Sequence, residues 1–266
     1  MELMAAVQMT SGPEKDRNLE VATALVREAA ALGARLVALP ETFNWMGPEA
    51  GREGALEPLD GPTGERMASL ARELSIFVLA GSVLERGAPD GRAYNTSVLY
   101  GSEGERLAVY RKIHLFDVEV GDGATYHESA RVAPGDAVVA ADTPLGLLGL
   151  SVCYDLRFPE LYRQLSSRGA ELLAVPAAFT LMTGKDHWEV LLRARAIENL
   201  CWVIAPAQVG QHPGNRQTYG NAMVVDPWGT VVARASSGPG LALARVDPAL
   251  QARVRAQLPA LGHRRL

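Results

Sequence analysis

Residues 149–160 read Gly-Leu-Ser-Val-Cys-Tyr-Asp-Leu-Arg-Phe-Pro-Glu, and this stretch indicates how the chain is built. The apolar run that ends at Val152 is typical of a buried strand, and the Phe-Pro-Glu that follows is typical of a helix start. Cys153 is therefore predicted at a strand end, just before a helix. Backbone N–H groups become free donors there, and α/β proteins place catalytic groups at such points. Cys153 is thus a candidate nucleophile, and the alternative is a small buried core residue.

The composition is that of a globular protein. Of the 266 residues, 48% are hydrophobic and 21% are charged, and the net charge is -4. This balance points neither to disorder nor to a surface for polyanions, so nucleic acid is not an expected partner. Two cysteines are too few for a disulfide framework, the N-terminus has no signal-peptide pattern, and no apolar run reaches the roughly 18 residues that span a membrane. We therefore expect a cytoplasmic protein without a membrane span.

Strand-like and helix-like segments alternate in the same order in both halves of the chain. The first half is predicted as strand, helix, strand, helix and three further strands, at 3–8, 19–30, 35–39, 64–74, 76–84, 93–100 and 105–110. The second half repeats this order, at 147–152, 158–167, 171–175, 185–199, 201–205, 222–225 and 230–233, with a last strand at 241–246. The repeated β-α-β-α-β-β order predicts an α/β fold: a four-layer α-β-β-α sandwich with two stacked mixed sheets and internal pseudo-twofold symmetry.

The chain shows no obvious division into domains. No linker rich in Pro, Gly or Ser separates the two halves, so residues 1–266 are predicted to form a single domain. The C-terminal stretch, at about 249–266, begins with a helical pattern and ends in basic residues. We expect it to be an arm that packs on the chain or contacts a partner.

Two further strand-like runs end in charged residues. Glu41 follows a strand and a proline, and Arg111 and Lys112 follow the hairpin. Because successive side chains of a strand alternate, one of these two cations can point inward. Residues at the same ends of parallel strands converge on one edge of a sheet even when they are far apart in sequence. We therefore expect Glu41, Cys153 and either Lys112 or Arg111 to meet.

This set of side chains is typical of acyl transfer. A thiol with an ordinary pKa of about 8.5 is mostly protonated at neutral pH, so it needs a base or a nearby positive charge to attack a carbonyl. Glu41 can take the proton, and the cation can favour the thiolate and then hold an oxyanion together with the Tyr154 N–H. The pattern predicts amide cleavage through a thioester, which water activated by Glu41 then hydrolyses.

Three blocks carry a resemblance to a known family: Leu-Pro-Glu-Thr-Phe (39–43), Tyr-Arg-Lys-Ile-His-Leu-Phe (110–116) and Ser-Val-Cys-Tyr-Asp-Leu-Arg-Phe-Pro-Glu (151–160). They resemble the signature blocks of the nitrilase, or carbon–nitrogen hydrolase, superfamily. The resemblance implies a Glu-Lys-Cys triad at Glu41, Lys112 and Cys153, an αββα sandwich, a homodimer or higher homo-oligomer, and neither a metal nor an organic cofactor. It also implies a second active-site glutamate at Glu128, for which the alternative is a surface carboxylate.

The second half resembles one branch of that superfamily more closely. Residues 183–199, 219–229 and 263–265 are similar to the branch that hydrolyses deaminated glutathione, the α-keto acid analogue of glutathione, in metabolite repair. The neighbouring ω-amidase branch, which cleaves 2-oxoglutaramate, shares the lysine and cysteine blocks almost as well. The resemblance implies a small carboxylated linear amide as substrate: deaminated glutathione, giving 2-oxoglutarate and Cys-Gly, or alternatively 2-oxoglutaramate.

A carboxylated substrate needs a cation near the nucleophile. Arg157 lies four residues after Cys153 and can offer a bidentate fork, unless it pairs with Asp155 or Glu160 for structural reasons. Side chains close to the triad blocks are candidates for the pocket wall, although such residues are more often core: Phe43, Tyr154, Phe179, Thr180 and Trp188.

Other functions find less support in the residues. Five histidines and two cysteines show no metal-ligand spacing, so no metal site is predicted. Gly121-Asp122-Gly123 lies in a polar stretch without a following helix, so no phosphate loop is predicted. Two hypotheses of another class remain open, namely a catalytically silent scaffold and a thiol redox sensor at Cys153.

Overall fold

The computed structural model describes residues 2–119 and 125–265, and its strands form two large sheets and a small ribbon. The glycine-containing stretch at 121–123 lies outside the described residues. The first sheet contains β1 (Glu2–Met9), β2 (Ala34–Ala38), β3 (Phe77–Arg86), β4 (Ala93–Tyr100), β5 (Arg106–Arg111), β12 (Ala207–Gln211), β13 (Gln217–Tyr219) and β16 (Gly240–Val246). The second contains β8 (Ala140–Thr143), β9 (Gly146–Leu150), β10 (Leu172–Ala174), β11 (Trp202–Ala205), β14 (Met223–Val225) and β15 (Val231–Arg234). The ribbon pairs β6 (Asp117–Glu119) with β7 (Thr125–His127).

The two sheets repeat one topology. In the first, β1, β2 and β3 are parallel neighbours, followed by antiparallel β4 and β5, and β16 pairs antiparallel with β1. In the second, β9, β10 and β11 are parallel neighbours, followed by antiparallel β14 and β15, and β8 pairs antiparallel with β9. Each strand of one series thus has a counterpart in the other. This correspondence confirms the predicted pseudo-twofold symmetry of two mixed sheets.

Side chains of β1 alternate between two layers of the hydrophobic core. Met4 and Ala6 belong to the core cluster shared with the second sheet, whereas Ala5 and Val7 belong to the cluster shared with the helices. A central strand that is apolar on both faces must be covered on both, which is why β1 reads as a continuous apolar run. The four-layer sandwich is confirmed.

The helices are α1 (Lys15–Ala31), α2 (Arg52–Ala55), α3 (Pro62–Leu74), α4 (Pro159–Ser167), α5 (Leu181–Thr183), α6 (Glu189–Asn199) and α7 (Pro248–Gln257). Helices α1 and α3 cover the first sheet, and α4 and α6 cover the second. Helix α1 buries an apolar stripe and ends at Ala31, two residues before Gly33, whose φ of +93° is a left-handed conformation that favours glycine. No helix in the described part of the chain is both long and apolar enough to cross a membrane.

The structure differs from the sequence predictions at several short elements. The helix predicted at 185–199 consists of a π-helical segment, Gly184–Trp188, followed by α6. Helix α5 comes directly before them, so the helical region begins at Leu181. Strands β6, β7, β8, β12 and β13 were not predicted, because three to five residues are too few to show a clear alternation of apolar and polar side chains.

The C-terminal arm packs on its own chain. Gln251 and Arg255 of α7 both donate hydrogen bonds to the carbonyl of Leu200, at 2.9 and 3.1 Å. Helix α7, with which this arm begins, therefore packs on the chain itself.

Candidate active site

Three predicted residues meet where strands of the two sheets end. Glu41 follows β2, Lys112 follows β5, and Cys153 follows β9. All three are buried and line one cavity of about 340 Å³. The alternation along β5 decides between the two cations, since Arg111 turns outward and forms an ion pair with Glu85 at 2.7 Å. Lys112 is therefore the cation that meets the thiol and the carboxylate.

Cys153 occupies a strained turn. Its φ is +49°, a left-handed conformation that costs free energy for a non-glycine residue, and it begins a short 3-10 segment, Cys153–Arg157. Its N–H donates to the carbonyl of Pro176 at 2.9 Å. This conformation presents the thiol to the cavity.

Asp155 holds this turn against the end of β5. Its fully buried carboxylate accepts hydrogen bonds from the Val152 N–H at 2.8 Å and the Tyr110 hydroxyl at 2.7 Å. It also accepts one from the His114 N–H at 3.0 Å, and His114 Nδ1 lies 2.7 Å from the same carboxylate. The segments that carry the nucleophile and the lysine are thus joined through one carboxylate.

Lys112 lies between two carboxylates. Its Nζ is 3.1 Å from Glu41 Oε1 and 2.8 Å from Glu128 Oε2. Asn95 closes this network, because its Nδ2 donates to Glu41 Oε1 at 2.9 Å and to Glu128 Oε1 at 3.2 Å. Glu128 is therefore inside the cavity and is not a surface carboxylate. The second oxygen of Glu41 accepts from the Ala178 N–H at 2.9 Å, which leaves this carboxylate little freedom to turn.

The charges of the network set the protonation of its members. Burial alone would raise the pKa of Glu41, but the Lys112 ammonium and the hydrogen bond with the Cys153 thiol hold it below its usual value. Burial and the Glu41 carboxylate raise the pKa of Cys153 well above its usual value, and Lys112 only partly opposes them. Burial alone would lower the pKa of Lys112, but Glu128 and Glu41 raise it. The resting site therefore holds a carboxylate, an ammonium and a neutral thiol.

Arg157 lines the same cavity and is not engaged by the carboxylates considered for it. The described side chains include no ion-pair partner for Arg157, and Asp155 is occupied by the bonds given above. Arg157 Nη1 lies 3.2 Å from His187 Nδ1, and the guanidinium lies over the rings of Tyr154 and Phe179, at 5.9 and 5.3 Å from their centroids. Its guanidinium therefore borders the cavity.

Of the five side chains proposed for the wall, three line the cavity: Tyr154, Phe179 and Thr180. Trp188 and Phe43 do not. Trp188 is fully buried behind Phe179, with ring centroids 4.9 Å apart, and its indole N–H donates to the carbonyl of Asn221 at 2.9 Å. Phe43 points into the core between the first sheet and its helices. Closeness in sequence to the triad blocks was not enough to place these two rings.

Two further cavity residues escaped the sequence analysis. Asn95 had a signal, because Asn95, Thr96 and Ser97 are three consecutive polar residues in an otherwise apolar strand. Arg216 had none, because it lies in the turn between β12 and β13, which an isolated sequence shows only as a polar loop. Among the described residues, no group of three His, Cys, Asp or Glu side chains could hold a metal ion.

Comparisons with known proteins identify the family of this chain and several relatives. The family model described as carbon–nitrogen hydrolase matches residues 3–256. A relative from Synechocystis sp. named "Deaminated glutathione amidase" is 49% identical over 98% of this chain and 97% of its own length. A human relative of the same name is 47% identical over 100% of this chain and 83% of its own. The crystal structure of the Caenorhabditis elegans NitFhit protein superimposes with a TM-score of 0.92 at 39% identity, and covers 99% of this chain and 65% of that longer one.

Proposed function

The chain belongs to the carbon–nitrogen hydrolase family, and we propose that it is a cysteine-dependent amidase that cleaves deaminated glutathione through a thioester on Cys153. The observation that carries this proposal is the cavity that Glu41, Lys112 and Cys153 line together, all three buried, with Lys112 Nζ 3.1 Å from Glu41 Oε1. The name shared by the Synechocystis and human relatives supports the choice of substrate.

The first half of the reaction forms the thioester. Cys153 Sγ attacks the amide carbon while Glu41 takes the thiol proton, and the carbonyl electron pair moves onto oxygen. Lys112 and the Tyr154 N–H stabilise this oxyanion. Glu41 then gives its proton to the amide nitrogen, the C–N bond breaks, and Cys-Gly leaves.

The second half returns the enzyme to its starting state. Water attacks the thioester carbon while Glu41 takes a proton from it, and the C–S bond then breaks. The proton passes to Cys153 Sγ, and 2-oxoglutarate is released. Glu128 and Asn95 have positioning roles throughout the reaction. Glu128 holds Lys112 by accepting a hydrogen bond from its ammonium, and Asn95 holds Glu41 by donating one to its carboxylate.

The electrostatics favour this proposal over a redox sensor. Sensor thiols have a low pKa and are accessible to solvent, so that the thiolate meets the oxidant. Cys153 is buried, and its pKa is raised. Such a thiol needs a base at the moment of attack, which Glu41 supplies.

The decisive experiment compares two substrates and one variant. We expect the wild-type protein to release Cys-Gly from deaminated glutathione with a higher kcat/KM than it releases ammonia from 2-oxoglutaramate. Rapid quenching followed by mass spectrometry should show a 2-oxoglutaryl adduct on Cys153. Appreciable turnover by Cys153→Ala would overturn the mechanism, and a higher kcat/KM for 2-oxoglutaramate would favour the ω-amidase alternative.

We also propose that residues 1–266 act as one domain and that the protein forms a homodimer. Strand β1 supports the first point, because it pairs with β2 from the first half and with β12 and β16 from the second. The dimer is supported by exposed apolar side chains on α6 and the neighbouring β14–β15 turn: Val190, Ile197 and Trp228, with 65%, 44% and 60% of their surface exposed. Trp228→Asp should produce a monomer in analytical ultracentrifugation, and an unchanged sedimentation coefficient would contradict this surface.

A cytoplasmic location also fits the mechanism. Both cysteines are free, and catalysis needs Cys153 as a thiol, which a reducing compartment preserves. Subcellular fractionation tests this location.

A further inference from the structure

The cavity holds more positive charge than the triad uses. Among the described residues that line it, the arginines are Arg52, Arg131, Arg157 and Arg216. Arg131 is paired with Glu49 at 2.6 Å, and Arg52 donates to the carbonyl of Arg131 at 3.0 Å. Arg52, Arg157 and Arg216 have no carboxylate partner in 2–119 and 125–265, but Arg52 is engaged by that carbonyl, which leaves Arg157 and Arg216 as the two without an oxygen acceptor there. A single carboxylate on the substrate would leave one of these two cations unmatched.

Arg216 is held in place by its hairpin. The turn between β12 and β13 is anchored by the buried His212, whose Nδ1 lies 2.8 Å from the carbonyl of Ser11 and whose Nε2 lies 2.7 Å from Thr218 Oγ1. The His212 N–H also donates to the carbonyl of Arg216 at 2.8 Å. The backbone that carries this arginine is therefore fixed by bonds to the body of the protein.

The Arg216 side chain carries a buried hydrogen-bond donor that is not satisfied by the described residues. Its Nε is buried and has no hydrogen-bond partner among the residues that the structure describes. Leaving a buried donor of a charged group unpaired is costly, and the cost is recovered when an anion binds. The site is therefore prepared for an anionic group of a ligand.

The two arginines belong to segments tied to different members of the proposed triad. Arg157 belongs to the same turn as Cys153, to which the acyl group becomes attached. The hairpin of Arg216 is tied to the base, because Gln208 Nε2 of β12 donates to the carbonyl of Glu41 at 3.0 Å. Glu41 and Arg216 also line the same cavity, where the Arg216 charge helps to lower the pKa of Glu41. Since Glu41 gives its proton to the leaving nitrogen, the leaving group lies on the side of Arg216.

We propose that Arg216 determines specificity by binding a carboxylate on the leaving amine. The enzyme then prefers amides that release an anionic amino acid or peptide over primary amides that release ammonia. This inference rests on the proposed function, in which the leaving group is Cys-Gly and the carboxylate is that of its glycine. Arg157 is left to bind the carboxylate of the 2-oxoglutaryl half, which both substrates share.

The test compares substrates that share the acyl group and differ in the leaving group. We measure kcat/KM for deaminated glutathione, for the same compound with its glycine carboxylate converted to an amide, and for 2-oxoglutaramate. In the wild-type enzyme, amidation of the glycine should lower kcat/KM by about 10- to 100-fold, the usual effect of losing a hydrogen bond to a charged group. Because this comparison uses the unmodified enzyme, it holds even where a variant fails to fold.

Arg216→Gln should lower the ratio of kcat/KM for deaminated glutathione to kcat/KM for 2-oxoglutaramate by at least about tenfold, chiefly through KM. The variant should no longer distinguish the acid from its amide, and Arg216→Lys should restore part of the ratio. The matched control, Arg157→Gln, should lower kcat/KM for both substrates and leave the ratio nearly unchanged. An unchanged ratio in Arg216→Gln, with the wild type active, would overturn the role of Arg216 alone. Failure of the wild type to hydrolyse any of the three amides would overturn the proposed function together with this inference.

Discussion

Replacing Asn95 by alanine removes the neutral donor that joins the two carboxylates of the network. The change leaves Glu41 Oε1 with Lys112 Nζ at 3.1 Å, and it leaves Glu128 Oε1 with the same ammonium at 3.1 Å. The lost bonds are those at 2.9 and 3.2 Å. A hydrogen bond to a charged group contributes about 1.5 to 3 kcal/mol, and the longer of the two is at the limit of good geometry, so we expect the free energy of unfolding at pH 7 to fall by about 2 to 4 kcal/mol.

The same substitution should change the pH dependence of catalysis. Loss of a donor raises the pKa of Glu41, and Glu41 must be ionised to accept the thiol proton. The acidic limb of kcat/KM therefore moves to higher pH in Asn95→Ala. Because the pKa of Glu41 is lowered in the folded wild type, its contribution to stability is present above the unfolded pKa and is lost as pH falls through the folded pKa. The stability difference between wild type and variant should therefore shrink toward acid pH.

The assays are urea unfolding at several pH values and a pH profile of kcat/KM for deaminated glutathione. Asn199→Ala is the matched control, because Asn199 is also fully buried and its Nδ2 donates to the carbonyl of Arg195 at 2.9 Å, on α6 and away from the cavity. The control should lose stability without moving the acidic limb. If Asn95→Ala loses stability and yet keeps the wild-type limb, Asn95 has only a structural role and the reasoning is wrong.

Three further predictions concern the triad. Glu41→Gln should lower kcat by about 10²- to 10⁴-fold in a steady-state assay, because an amide cannot accept the thiol proton; activity near that of wild type would exclude Glu41 as the base. Lys112→Met leaves the carboxylates of Glu41 and Glu128 without their cation and should cost about 3 to 5 kcal/mol of unfolding free energy at pH 8, with a smaller loss at pH 5 as the carboxylates take up protons, measured by urea unfolding. An equal loss at both pH values would contradict this assignment. Cys153→Ala should show no reaction with a thiol reagent at pH 8 until it is unfolded, because Cys201 is fully buried and burial raises its pKa to about 11; rapid labelling of the native variant would refute this.

The sequence predicted the parts of the site that local pattern controls. Glu41, Lys112 and Cys153 each follow a strand, and the strands themselves show as apolar runs bounded by helices. Sheet topology places the carboxyl ends of parallel strands at one edge of a sheet. The repeated order of elements was therefore enough to predict that these residues lie close together. Glu128 came from the family resemblance, since its short 3-10 segment has no pattern of its own.

The direction in which side chains point was harder to predict from the sequence. Trp188 and Phe43 were expected at the wall and lie behind it, because the π-helical turn at 184–188 and the core around α1 and α3 turn them away. Whether an aromatic ring faces a cavity or the core depends on the residues packed against it from remote segments, and those are not visible in a local pattern.

The sequence by itself thus predicted the architecture and the proposed triad, with the choice of Lys112 over Arg111 implied by the family resemblance, because strand periodicity and strand ends are local properties that topology repeats. Only the tertiary structure decided what surrounds the triad. Asn95 reaches both carboxylates because β4 lies beside β3 and β5, and Arg216 reaches the cavity because β12 pairs with β1 from the other end of the chain. These contacts join residues far apart in sequence, and we propose that Arg216 selects the amide on which Cys153 acts.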